Sequence, residues 1–498
     1  MPTIEKTTTS EPGAEAERRV LASVPAGVFV AGEWRAPASG RTFEVTDPAT
    51  ELPLTAAVAD GGPGDAAAAL EAAVAAQDGW AATAARERAE ILRRAFDALV
   101  ARTDDLALLI TLEMGKPLPE SRAEVAYAAE FLRWFSEQAA HVGGGYRAAP
   151  GGGQRLITHR QPVGPSLLIT PWNFPLAMGT RKVGAAVAAG CTMVLKPAEL
   201  TPLASFVLAD VLAEAGLPPG VLNVVSTTDP AAVVAPLLAD PRLRKLSFTG
   251  STDVGALLLR QAADNVLRTS MELGGNAPLI VFDDADLDAA IEGTLLAKMR
   301  NMGQSCVAAN RVFVHESVAG EYAERLTAGM TALRVGRGTE PGTDVGPLID
   351  ARQRNKVGAL VDDAVAHGAV LHGGGPRGDV GFFYAPAVLT EVPGTARLTR
   401  EEIFGPVAAV STFREEQEVV AAANDTRYGL VGYVFTRDLA RALRVGEQLE
   451  TGMVGINQGL VSNPAGPFGG VKHSGLGREG GDEGIEEYLE VKYLAVAG

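Results

Sequence analysis

Arg300 to Arg311, reading R-N-M-G-Q-S-C-V-A-A-N-R, sets Cys306 in a run of small and polar residues. Cys306 and Cys191 are the two cysteines of the chain. A helical pattern, Leu287 to Met299, leads into the run, and the apolar, strand-like Val312-Phe313-Val314 follows it. A thiol placed where a helix pattern gives way to a glycine-containing loop lies within reach of a substrate. It reacts as its thiolate, so a nucleophilic cysteine needs its free pKa of about 8.5 lowered, or a base close by. The structural alternative is that free cysteine is among the most buried residue types and behaves as a small hydrophobe.

Other residues supply what such a nucleophile would need. Glu272, beside Leu273 and the pair Gly274-Gly275, sits in apolar company that raises a carboxyl pKa toward that of a general base. Asn173 lies between Trp172 and Phe174, fixed by Pro171 and Pro175, and can aim an amide donor at a developing oxyanion. Lys196 and Glu199 flank Pro197-Ala198 just past a strand pattern. An acid there accepts hydrogen bonds from a ribose diol and repels a 2'-phosphate. Gly250-Ser-Thr-Asp-Val-Gly255 follows the strand pattern Leu246 to Phe248 and opens a helix, whose free amides suit a phosphate. It lacks the Gly-Lys-Ser/Thr ending of a P-loop, which disfavours ATP. Each motif also has an ordinary reading, as a solvated acid, a turn asparagine or a plain strand-to-helix turn. Their conjunction is what argues for a site.

The elements that must position these residues alternate. Ser166 to Thr170, Thr192 to Leu195, Val221 to Val225 and Leu246 to Phe248 read as strands, separated by alanine-rich helices ending near Ala189 and Ala215. This spacing predicts right-handed crossovers and a doubly wound parallel sheet, with ligands at the carboxyl ends of its strands. Ahead of it, short strands at Val28 to Val30 and Thr42 to Val45 precede helices over 65–77, 83–102, 104–114 and 119–140, which read as scaffold. A second α/β segment begins at Leu279 and carries Cys306. Glycine clusters at 143–145 and 151–153 bracket a strand pattern at 155–161, and Tyr488 to Ala495 reads as a final strand. Gly475 to Gly480 matches G-x-G-x-x-G, but no strand precedes it and no βαβ unit follows, so it is no dinucleotide fingerprint. The division expected is a disordered tail over 1–20, a cofactor domain from 21–142 and 163–273, a catalytic domain over 274–479, and a small β bridging element from 143–162 and 480–498.

Composition bounds the rest. The 498 residues are 47% hydrophobic and 21% charged, which fits a globular chain of two or three domains. With 44 basic against 60 acidic residues the net charge is -16, which argues against nucleic acid and anionic membranes as partners. Two cysteines cannot build a disulfide framework or a cysteine-rich zinc site, and no metal site is expected. The polar first residues and the lack of a long apolar run point to a cytoplasmic protein.

The motifs P-W-N-F-P, K-P-A-E, F-T-G-S-T, E-L-G-G, G-Q-S-C and E-E-I-F-G-P occur in this order. From about Val28 to Tyr493 the chain resembles the NAD(P)-dependent aldehyde dehydrogenases. Gly459 to Ser462, Pro467 to Lys472 and Ser474 to Gly480 look most like succinate-semialdehyde dehydrogenases. The resemblance implies that Cys306 attacks the aldehyde, that the Asn173 amide and the Cys306 backbone N–H hold the oxyanion, and that Glu272 activates water against the thioester. It implies that Lys196 and Glu199 hold the adenosine ribose, Gly250 and Ser251 the pyrophosphate, and Glu402 with Phe404 the nicotinamide ribose. Thr170, Trp172, Pro197, Ala198, Gly255 and Leu273 complete the cofactor contacts it implies. Arg181, Arg300 and Ser462 match the residues with which semialdehyde members bind the distal carboxylate, a contact with obvious physical sense.

Two departures from the family pattern matter. Relatives often carry a second cysteine two residues after the nucleophile, and Ala308 stands there, so no disulfide switch is expected. Members preferring NADP tend to have a small residue where Glu199 stands, so NAD is favoured. The expectation is an NAD-dependent oxidation of succinate semialdehyde by a homodimer or homotetramer. Glutarate semialdehyde or another ω-carboxy aldehyde is the alternative substrate, and a non-catalytic binding or structural protein on this fold is the alternative class.

Overall fold

The computed structural model describes residues 13–498. Its first sheet has eight strands, in the order Gly475–Leu476, Arg268–Glu272, Lys245–Thr249, Ser166–Ile169, Met193–Lys196, Leu222–Val224, Val28–Val30 and Glu33–Arg35. The five central strands run parallel and the outer ones antiparallel. Chain order reverses between Lys245–Thr249 and Ser166–Ile169, the switch point of a doubly wound sheet, where a crevice opens at the carboxyl ends. The central strands are short because both faces are covered by helices: Ser166–Ile169 and Met193–Lys196 are buried along their whole length.

The second sheet has seven strands, ordered Val370–Pro376, Tyr384–Thr390, Val407–Phe413, Ala309–His315, Ala277–Val281, Val431–Phe435 and Met453–Ile456. All its pairings are parallel except the first. Ala277–Val281 starts just after Gly274-Gly275, so the two sheets are joined through the segment that carries Glu272. Gly475–Leu476 returns the chain to the edge of the first sheet, ahead of the boundary expected at 479. A third, antiparallel sheet pairs Leu489–Ala497 with Gln154–Pro162, and that strand with Gly145–Ala148.

Helices expected as scaffold occur as Pro63–Ala82, Ala85–Ala101, Thr103–Met114 and Leu118–Ala139. The expectation of a disordered tail over 1–20 is corrected: Gly13–Ala22 is a helix, and residues 1–12 lie outside the described residues. The helix is held because Val20 enters the core, Arg19 pairs with Asp105 at 2.9 Å, and Glu17 pairs with Arg337 at 2.9 Å. Composition alone hides such anchors, which come from contacts remote in sequence. Among the described residues no helix is long and apolar enough to cross a membrane.

Candidate active site

One cavity is walled by the carboxyl ends of first-sheet strands and by the loops that enter the second sheet. Cys306, Glu272 and Asn173 all line it. The turn before Cys306 is unusual, with Asn301, Met302 and Gly303 at φ of 55°, 54° and 74°, a left-handed run that non-glycine residues adopt only when their surroundings hold them. The holding groups are visible. The Asn301 amide donates to the carbonyls of Gln304 and Asn173, each at 2.9 Å, and its backbone N–H donates to Glu120 at 2.7 Å. Ile349 N–H donates to the Gln304 side chain at 3.0 Å, and Tyr433 donates its hydroxyl to the Val307 carbonyl at 2.8 Å. A β-carbon on Gly303 would lie 2.1 Å from the Gly405 carbonyl, so only glycine lets the two loops approach.

Cys306 is half-buried on the cavity wall, whereas Cys191 is fully buried and donates to the Tyr488 carbonyl at 3.3 Å. The small-hydrophobe reading therefore belongs to Cys191. The Cys306 thiol is not activated by a lowered pKa. Burial pushes it up to about 12, against the opposing charge of Arg181 and with the help of Glu402 and Glu272. Glu272 is buried with both carboxylate oxygens free of hydrogen-bond partners. Burial, then the charge of Glu479, raises its pKa well above the carboxylate range, while Arg181, Lys182 and Arg478 oppose the rise. Two facing carboxyls separated in this way divide into an anion and a proton holder. Glu479 is the anion: burial works against it, yet Arg181 and Lys182 hold it down at about 2.

Asn173 spends one amide N–H on the Gln304 carbonyl at 3.0 Å and keeps the other for a ligand. Its backbone carbonyl accepts from Lys116 at 2.8 Å, and Lys116 forms a buried pair with Glu124 at 2.5 Å. The other Glu124 oxygen accepts from the N–H groups of Leu176 and Ala177 at 3.0 and 3.2 Å. A buried, fully bonded ion pair thus pins the P-W-N-F-P turn to the scaffold helices. Sequence reading assigned no role to Lys116, Glu124 or Glu479; the first two have no local motif, and the motif holding Glu479 says nothing of its partners.

The residues matched to a distal carboxylate are brought together on the same wall: Arg181, Arg300 and Ser462. Arg181 is buried, with Nε 2.5 Å from a Glu479 oxygen in an ion pair, and all three of its guanidinium nitrogens lack an aligned hydrogen-bond acceptor. Unsatisfied buried N–H groups in a cavity call for an anionic ligand.

Of the cofactor set, Trp172, Gly250, Ser251, Leu273, Glu402 and Phe404 line the cavity. Thr170, Lys196, Pro197, Ala198, Glu199 and Gly255 are not among its walls. Thr170 N–H donates to the Lys196 carbonyl at 3.2 Å, which puts these two residues side by side at the sheet's carboxyl edge. Lys196 is buried and Glu199 is 40% exposed, with 3.7 Å between their charged atoms. A β-carbon on Gly255 would lie 2.4 Å from Leu273, so glycine there lets its helix close on the site wall. These residues fit a dinucleotide: Thr249 Oγ1 is buried on the cavity wall without a partner, and Ser251, on the same wall, caps the N-terminus of the helix Thr252–Ala263. Burial raises the Glu402 pKa to about 7, while Lys356, the Gly275 N–H and Lys298 oppose the rise. Gln353, absent from the sequence reading, lines the cavity and donates to the carbonyls of Ile403 and Phe404 at 3.2 and 2.7 Å, fixing Phe404 at φ 55°.

A model of the aldehyde dehydrogenase family matches residues 34–494. The chain belongs to that family. It is 60% identical, over 87% of its length and 96% of the relative's, to a succinate-semialdehyde dehydrogenase of Paenarthrobacter nicotinovorans. A glutarate-semialdehyde dehydrogenase of Pseudomonas aeruginosa is 49% identical, covering 94% of this chain and 97% of the relative. Among solved structures, an NADP-dependent enzyme of E. coli superposes with a TM-score of 0.94 at 47% identity, over 95% of this chain and 98% of that one. This aldehyde dehydrogenase therefore takes a cofactor of the NAD(P) class. Among its described residues, no group of three or more His, Cys, Asp or Glu is placed to hold a metal ion.

Proposed function

We propose that this aldehyde dehydrogenase oxidises succinate semialdehyde to succinate with NAD as hydride acceptor. The observation that carries the reading is Arg181 on the wall of the cavity that holds Cys306, with Arg300 and Ser462: its Nε is ion-paired with Glu479, and its two terminal nitrogens have no hydrogen-bond partner. A charged, bidentate contact at that end selects a substrate with a terminal carboxylate.

In this reading the Cys306 thiol gives its proton to solvent as Sγ bonds to the aldehyde carbon and the C=O π pair moves onto the oxygen, which the Asn173 amide and the Cys306 backbone N–H hold as charge develops on it. The bound cofactor supplies the hydride acceptor, and loss of hydride leaves a thioester on Cys306. Glu272 takes a proton from water as the water attacks the thioester carbonyl, and the thiol departs with the acid free. Aldehyde, NAD+ and water give carboxylate, NADH and two protons. Burial raises the Glu272 pKa, so its ionised form is a stronger base toward the attacking water than an exposed carboxylate would be.

NAD is proposed over NADP because a carboxylate at Glu199, just past the strand Met193–Lys196, would accept hydrogen bonds from a ribose diol and repel a 2'-phosphate. Glutarate semialdehyde is the second reading, favoured by the Pseudomonas aeruginosa relative, since one methylene is worth only about 1–3 kcal/mol in a pocket. The third sheet exposes Tyr146, Val491, Tyr493, Leu494 and Val496, an apolar surface suited to pairing copies into a homodimer or homotetramer. A reducing cytoplasm would keep Cys306 a free thiol.

The test is initial rates of NADH formation from succinate semialdehyde, glutarate semialdehyde and butanal, with NAD and NADP, for wild type and Cys306→Ala. The expected result is highest kcat/KM for succinate semialdehyde with NAD and no rate in the alanine variant. A preference for butanal would overturn the arginine assignment, and a faster NADP reaction would overturn the cofactor assignment.

A further inference from the structure

Helix Leu118–Ala139 reads from its sequence as scaffold, yet its half-buried Tyr127 forms part of the cavity wall. The Tyr127 ring is fixed edge-on against Phe131, with centroids 4.8 Å apart at 68°. The Arg300 guanidinium carbon lies 5.6 Å from the Tyr127 centroid and 5.0 Å from that of Phe174. Arg181 has its own aromatic neighbour, Phe468, at 4.3 Å. Both arginines thus rest against rings, which attract the cation through the quadrupole and leave the N–H edges for a ligand.

The Tyr127 hydroxyl is the second part of the argument. It makes no hydrogen bond to any described residue, although the wall it belongs to is crowded with charge. Arg181 and Arg300 line the same cavity wall as Tyr127. The Tyr127 ring thus touches Arg300, and its unbonded hydroxyl belongs to the cavity wall that Arg181 shares.

Resting on the semialdehyde reading above, we propose that Tyr127 determines specificity in the anion site: its ring orients Arg300, and its hydroxyl donates a hydrogen bond to the distal carboxylate of an ω-carboxy aldehyde. An ionised carboxylate offers about four lone-pair sites, more than one arginine fork fills. A phenol adds a donor without adding charge. An uncharged aldehyde of equal length gains nothing from it and leaves the hydroxyl unanswered.

The experiment compares wild type with Tyr127→Phe, which keeps the ring and removes only the oxygen. The readout is the ratio of kcat/KM for succinate semialdehyde to that for butanal, with KM and kcat resolved separately. Loss of one hydrogen bond to a charged group lowers the ratio about ten- to a hundredfold, chiefly through KM for the semialdehyde. A ratio within twofold of wild type overturns the proposal, as does an equal fall for both substrates, which would mark general damage. Tyr127→Met removes ring and hydroxyl together and must lower the ratio further, which keeps the test decisive should Tyr127→Phe not fold. The two readings fail separately: a wild type without preference for succinate semialdehyde defeats the semialdehyde reading itself, whereas an intact preference that survives Tyr127→Phe defeats only the role of Tyr127.

Discussion

Glu272→Gln is the perturbation whose consequences are most fully determined. Glu272 is 3% exposed and neither carboxylate oxygen has a hydrogen-bond partner, so an isosteric amide fits without breaking a contact. In the proposed mechanism, acylation of Cys306 does not use this carboxyl as the base for water, whereas hydrolysis does. A positioned general base contributes about 10²- to 10⁴-fold. Mixing the variant with succinate semialdehyde and NAD in a stopped-flow instrument should therefore give a burst of about one NADH per active site, followed by a steady state slower by that factor. A steady-state rate within threefold of wild type, or a burst that disappears, refutes the assignment; the second result would mean that Glu272 serves the thiol instead. Stability supplies an independent check. The folded-state pKa is raised above the unfolded value, so the folded chain keeps a proton that the unfolded chain releases. Stability from this group is lost as pH climbs from about 4.3, the unfolded value, through the folded-state pKa. The glutamine variant lacks that slope, and its advantage over wild type in chemical denaturation should grow across that window and then level off.

Three further outcomes follow from the same geometry. If the proposed NAD preference holds, Glu199→Ser should raise kcat/KM for NADP about tenfold or more relative to NAD, measured as paired initial rates, because it removes the carboxylate that would repel a 2'-phosphate. Glu402→Gln should speed alkylation of Cys306 by iodoacetamide at pH 8 severalfold, since the Glu402 charge is among the causes that raise the thiol pKa and is present above about 7; mass spectrometry of the labelled peptide gives the rate. Lys116→Met should cost about 3–5 kcal/mol of stability in urea denaturation, because it leaves Glu124 charged and unpaired in the interior, and should lower kcat by loosening Asn173.

Residues that announce themselves through their neighbours were legible in the sequence. Cys306 in its glycine loop, Asn173 between prolines and Glu272 before a glycine pair are local patterns, and the alternation of strands with helices placed their loops at one sheet edge. What stayed hidden depends on contacts across the chain. Lys116 reaches Asn173 from the turn between two scaffold helices, Glu479 lies in a quoted motif that says nothing of its partners, and Tyr127 lies on a helix whose amphipathic pattern tells which face is buried but not what that face meets. Of the two ways the sequence left open for activating the thiol, a lowered pKa or a nearby base, burial of Cys306 works against the first. The same limit applied to Gly13–Ala22, whose anchors Asp105 and Arg337 are far away in sequence.

The unequal exposure of the two thiols makes the enzyme its own standard of measure. Cys191 is sealed in the interior, and Cys306 opens on the cavity. A small electrophile added to the folded protein therefore marks one position per chain, and the label counts competent sites rather than milligrams. Turnover numbers can then be stated per site even when part of a preparation is inactive. A fluorophore introduced the same way would report, from inside the cavity, how each cofactor and each aldehyde enters.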